Sequence, residues 1–176
     1  MTGSHPPAEA SGGAVRILGL DPGLASTGWG VVDAGPDHLY YLAHGCIITS
    51  ASNLMEDRLL RIYERILEIA AFYRPSECAI EVLYFAKNVT SALAVSEARG
   101  VMRLACRQSG MSVSEYGPSA IKQALVGRGR ADKAQVQEFA RILLGLAVIP
   151  RPEHAADALA AAVCHAHSRA FPGRDH

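Results

Sequence analysis

The spacing of hydrophobic positions changes several times along the chain, and each change marks an element. Residues 14–20 (AVRILGL) form a short, nearly continuous apolar run that predicts a buried strand. Residues 28–33 and 39–48 predict two more strands around a Gly35-Pro36 turn, and such short connections favour an antiparallel meander. Asn53 is placed to cap a helix over residues 54–73, where Met55, Leu59, Ile62, Ile66, Ile69 and Tyr73 recur at helical spacing before Pro75. Residues 77–83 (ECAIEVL) predict a fourth strand. A helix rich in small residues follows from about 90 to 108, stopping at Gly110, and residues 113–116 predict a fifth strand. Helix predominates thereafter: residues 118–125, a basic loop at 127–131 (GRGRA), an amphipathic helix over 131–144, and a last helix over 153–167 beyond Pro150 and Pro152. The order implies an α/β sheet covered by helices.

A chain of 176 residues suits one domain, expected over residues 14–168, with tails at 1–13 and 169–176. With 49% hydrophobic and 19% charged residues it should be globular, and no apolar run reaches the ~18 residues that span a bilayer. The first thirteen residues lack the basic start and apolar stretch of a signal peptide. Cys46, Cys78, Cys106 and Cys164 are dispersed in apolar stretches with no CxxC pair, which points to buried, reduced thiols in a cytoplasmic protein rather than zinc or redox chemistry. Net charge is +0, but residues 1–98 hold six basic and eleven acidic side chains, and residues 99–141 eight basic and three acidic. A basic centre suits a polyanionic partner, although charge alone favours a solvated helix face.

Four residues stand out chemically. Asp21 directly follows the first apolar run, in LGLDPGLASTGWG, where Gly23 permits a sharp turn. Glu81 interrupts an otherwise apolar strand, where an ionised carboxylate is costly unless paired. His154 and Asp157 lie three apart at the start of an alanine-rich helix and so share a face. Each has an ordinary explanation: a turn-stabilising Asp, an ion pair with arginine, a favourable charge in a first helical turn. Together they read as oxygen-rich ligands for hard divalent cations, which can clamp a phosphodiester.

On these residues the chain resembles the RuvC family of Holliday junction resolvases, members of the RNase H-like superfamily. ILGLDPGLASTGWGVV, AIEVLYFAKNVTSALAVSEARG, YGPSAIKQALVGRGRADKAQVQ and HAADALAAAVCHAHS resemble that family's blocks in its order and spacing, over about residues 14–168. The resemblance implies an RNase H-like fold, with a mixed five-stranded sheet, three antiparallel strands and then parallel additions, flanked by helices. It implies a homodimer that resolves four-way DNA junctions by symmetric nicks, in recombination and repair, with the RuvA–RuvB branch-migration complex as partner. It also implies two Mg2+ or Mn2+ ions held by Asp21, Glu81, His154 and Asp157. His154 stands where many relatives have Asp; imidazole suits manganese better than magnesium, so Mn2+ is expected to support cutting at least as well.

The three lysines, Lys87, Lys122 and Lys133, all fall in blocks that resemble the family's DNA-contacting regions, Lys122 and Lys133 flanking a loop with Arg128 and Arg130. These cations are expected to meet phosphates, with Lys133 also catalytic. By the same resemblance Tyr84 is expected to stack on unpaired bases and Asn88 to assist, while Phe85 and Trp29 are assigned to the core. His165 and His167 receive no role. The small-residue helix over 90–108 suits a twofold dimer contact, or simply close packing on its own sheet. Alternatives are another RNase H-like nuclease, a junction-binding protein without catalysis, and an actin-like or sugar-kinase phosphate-binding domain. The last normally needs two related domains, for which the chain is too short.

Overall fold

The computed structural model describes residues 13–82 and 89–170. Its ten elements are β1 (Val15–Asp21), β2 (Ser26–Ala34), β3 (Leu39–Ile48), α1 (Met55–Tyr73), β4 (Glu77–Glu81), α2 (Val89–Gln108), β5 (Ser112–Tyr116), α3 (Pro118–Val126), α4 (Lys133–Leu143) and α5 (Glu153–Ala170). The strands form one sheet in the order β3-β2-β1-β4-β5. β1, β2 and β3 pair antiparallel, and β4 and β5 add in parallel. This is the mixed sheet that the family resemblance implies, built from the strands that periodicity locates.

Strand alternation divides the core in two. Ile17, Val32 and Ala79 face α5, with α3 and α4 packed beside it. Leu18, Leu20, Val31, Cys78 and Ile80 face α1 and α2. Small side chains of α2, Ala98, Ala105 and Cys106, belong to this second core, which accounts for part of that helix's composition by packing on its own domain. The four cysteines are free thiols, three of them buried and Cys46 half-buried. Trp29 packs at the margin of the second core, its ring 5.9 Å from that of Tyr73.

Three local expectations need correction. Asp21 is the last residue of β1, paired with Gly28, rather than the first residue after it. Asn53 does not cap α1: Leu54 is the N-cap, with no side-chain capping bond, its carbonyl accepting from Arg58 N, while Asn53 lies one residue earlier in a turn closed by its backbone N–H on Ser50 O. The helix expected from residue 131 begins at Lys133, where Asp132 accepts from Gln135 N and Gln135 reciprocates, a capping box that sets the start. The structure also holds a buried ion pair that no local pattern announces. Arg16 and Asp33, opposite each other on β1 and β2, bond at 2.7 and 2.8 Å, and Arg16 donates onward to Tyr73 O at the end of α1.

Candidate active site

The site lies where β1 and β4 end beneath the start of α5. Leu20 pairs with Ile80 in the parallel β1–β4 ladder, so Asp21 and Glu81 are the next residues along neighbouring strands. Period-two alternation sends both to the α5 face, in line with Gly19 and Ala79. Glycine lets α5 come down close enough to meet them. A Cβ on Gly28 would lie 1.9 Å from His154 O, and one on Gly19 2.0 Å from Ala158 O. Both contacts are with helix backbone, which cannot swing aside, so only hydrogen fits. The alanines of α5 (Ala155, Ala156, Ala158, Ala160, Ala161, Ala162) complete the close approach, all buried.

This packing delivers His154 and Asp157 onto Asp21. One ligand atom from each lies within 4.8 Å of the others, a cluster able to hold a metal ion. His154 Nδ1 is 2.6 Å from Asp21 Oδ2, and against an ionised Asp21 it is the ring nitrogen that donates. Glu81 borders the cluster without joining it, lining a groove with Asp157, Lys122, Lys133, Pro118 and Ile121. Lys133 Nζ pairs with Asp157 Oδ2 at 2.7 Å and with Glu153.

Electrostatics set these groups apart from ordinary acids. Burial pushes the Asp21 carboxyl upward; the negative charge of Asp157 adds to this, and the His154 hydrogen bond and Lys133 oppose it. Burial, reinforced by Asp21 and Asp157, raises Glu81 to about 7, with Lys133 and Lys122 partly compensating. Around Lys133 burial works against the charge, but hydrogen bonds to Asp157 and Glu153 win and raise its pKa. Crowded, desolvated carboxylates of this kind call for a cation.

Lys122 is half-buried in the same groove. Arg128 and Arg130 are exposed on the α3–α4 loop and form no ion pair among the described residues. Tyr84, Phe85, Lys87 and Asn88 lie outside the described residues. Two neighbours of the site are absent from the sequence-based expectations. Gln137, 7% exposed on α4, directs Nε2 toward Asp157 Oδ1 at 3.5 Å. Glu153 shares a helix face with Asp157 at i, i+4, a signal that was available in the sequence. His165, given no role, is buried where α5 crosses the start of β4, between Tyr116 Oη (2.7 Å from Nδ1) and Glu77 Oε2 (2.7 Å from Nε2). With Nε2–H donating to Glu77, Nδ1 accepts from the Tyr116 hydroxyl, which completes a neutral imidazole's bonds.

A family model described as crossover junction endodeoxyribonuclease RuvC matches residues 17–165. Among curated relatives, the crossover junction endodeoxyribonuclease RuvC of Treponema pallidum (strain Nichols) is 51% identical over 151 residues, covering 86% of this chain and 77% of the relative. That of Chloroflexus aurantiacus (strain ATCC 29366) is 49% identical over 154 residues, 88% of this chain and 94% of the relative. Among solved structures, Thermus thermophilus RuvC superposes with a TM-score of 0.84 at 36% identity, covering 89% of this chain and 96% of that one. The same protein in complex with Holliday junction substrate gives 0.84 at 37% identity, covering 88% and 94%. A yeast mitochondrial Holliday junction resolvase, at 12% identity and a TM-score of 0.66 over 96% of this chain and 82% of that one, shares the fold. A match of this extent sets aside the sugar-kinase alternative.

Proposed function

The chain belongs to the RuvC family, the crossover junction endodeoxyribonucleases that resolve Holliday junctions, and we propose that Asp21, Glu81, His154 and Asp157 form its catalytic metal site. The convergence of Asp21, His154 and Asp157 within 4.8 Å, next to a Glu81 carboxyl raised to about 7, carries this reading. Carboxylate oxygens with one imidazole, and no thiolate, are a donor set for a hard or borderline divalent ion. Two Mg2+ or Mn2+ ions are proposed. When bound they polarise the scissile phosphate and lower the pKa of the attacking water.

The chain's own groups do the rest. The three carboxylates among the four ligands gather negative charge at one end of the sheet, on a face that otherwise repels phosphate. Lys133 and Lys122, in the groove beside them, offset that repulsion and face the charge that develops on the phosphoryl oxygens. Arg128 and Arg130 are placed to follow the DNA backbone. Tyr84 is assigned to stack on unpaired bases, with Lys87 and Asn88 contacting the strand. Symmetric nicking requires two copies of the site, hence a homodimer, and the family connection supports a RuvA–RuvB partner and a cytoplasmic setting. Among the described residues no helix is long and apolar enough to cross a membrane.

The test compares a synthetic four-way junction with a linear duplex, using Mg2+ or Mn2+ and the wild-type or Asp21→Asn protein. Junction-selective paired nicking, abolished by Asp21→Asn and supported by Mn2+ at least as well as by Mg2+, is expected. Equal cutting of both substrates would contradict junction selectivity; a clear Mg2+ advantage would remove the manganese preference assigned to His154.

A further inference from the structure

Glu153 stands at the site without belonging to the ligand set. It opens α5, one residue before His154 and one helical turn before Asp157, and its side chain is 54% exposed. Lys133, the first residue of α4, sets its ammonium against both Glu153 and Asp157. Asp157 is the more buried partner, at 14%. Its Oδ2 holds the Lys133 ammonium at 2.7 Å and its Oδ1 meets Gln137 at 3.5 Å, while the same carboxylate lies within 4.8 Å of the Asp21 and His154 ligand atoms. An ammonium and a divalent ion contesting one carboxylate are competitors, since each needs its lone pairs and each repels the other.

We propose that Glu153 is the anchoring carboxylate of Lys133. It gives the ammonium a second partner at the rim of the site. When Asp157 turns to a divalent ion, Lys133 stays on Glu153, facing the incoming phosphate, instead of competing for the ligand. Glu153 is thus a positioning residue that acts through Lys133, a role resting on the metal-site reading above. An exposed pair of this kind contributes little to folding, so its removal leaves the domain intact and alters the contest at Asp157.

The experiment measures Mn2+ affinity by electron paramagnetic resonance for the wild type, Glu153→Gln, Lys133→Ala and the double variant. Thermal unfolding checks each fold, and Glu153→Ala repeats the test with a side chain that cannot hydrogen-bond. In the wild-type background Glu153→Gln should weaken Mn2+ binding about fivefold, because Lys133 then rests on Asp157 alone; Lys133→Ala should tighten it. In the Lys133→Ala background the Glu153 change should shift the affinity by less than about twofold, the signature of a coupled pair. Equal shifts in both backgrounds would mean that Glu153 acts only through its bulk charge and would overturn the inference while leaving the metal site standing. A wild-type protein that binds no Mn2+ would overturn the metal-site reading and this inference with it.

Discussion

Glu81 shows what a single buried carboxylate costs the fold. Its pKa of about 7, against 4.5 ordinarily, means that the folded state holds the proton more tightly than the unfolded chain. The ionised form therefore destabilises the fold; the cost is absent below about pH 4.5 and complete above about 7. In EDTA-treated protein at pH 8, Glu81→Gln should add roughly 1–3 kcal/mol, or about 3–8 °C in Tm. The gain should shrink toward pH 4.5 and also on adding Mn2+ to both proteins, while junction cleavage is lost. A destabilised variant at pH 8 would contradict the electrostatic account. His165 carries the opposite kind of shift. Burial lowers its pKa, only partly opposed by Glu77, so the folded state binds its proton less readily. Its contribution is fully present above about pH 6.5 and is lost as pH falls from there through the lowered folded value. Urea midpoints of wild type and His165→Gln, compared from pH 8 to 5, should converge on the acid side; a constant difference would contradict this. At this scale the sequence was informative where Glu81 broke an apolar run, though Arg16, which breaks another, gave no hint of its partner Asp33. It was silent on contacts such as His165 with Glu77, which exist only once α5 lies across β4.

Helix α5 is the element on which the site depends, and the glycines beneath it set its height. A methyl group on Gly28 would meet the His154 carbonyl carbon at 2.3 Å, so Gly28→Ala must lift the helix start that carries two of the proposed ligands. Overpacking of this kind should cost about 1–3 kcal/mol in urea unfolding. Mn2+ binding should fall by far more than that stability loss accounts for. Retained Mn2+ affinity in a folded Gly28→Ala protein would show that the site tolerates a displaced helix. Most element positions were legible from periodicity, because strand and helix bury one face at periods of 2 and 3.6. Helix starts were less so. Asn53 is a good capping residue by type but sits in the turn one residue before the N-cap Leu54, whereas Asp132 completes a box with Gln135 that moves the start of α4 to Lys133. Side-chain type proposes a cap, and the course of the preceding loop accepts or refuses it.

For the molecule as a whole, junction resolution requires a polyanion to approach a cluster of carboxylates, and the basic centre of the chain is proposed to meet that requirement. Lys122 and Lys133 border the acids, and Arg128 and Arg130 project from the α3–α4 loop. Removing both arginines (Arg128→Ala with Arg130→Ala) should weaken junction binding and flatten the salt dependence of log Kd by about 1–2 units. Binding isotherms across a salt series would show it, and an unchanged slope would place these arginines off the DNA path. Residue order was enough for the strands and helices, for the family resemblance that carries the mixed sheet, and for the four ligand candidates, because acids at buried strands and a His and Asp three apart on an alanine-rich helix leave marks in the local pattern. Folding was needed to bring Asp21 and Glu81 to the ends of neighbouring parallel strands, to let α5 reach them over glycine, and to join Glu153 to Lys133 at the rim. Those relations link residues from far along the chain, and they arise from packing distances that no short stretch of sequence encodes.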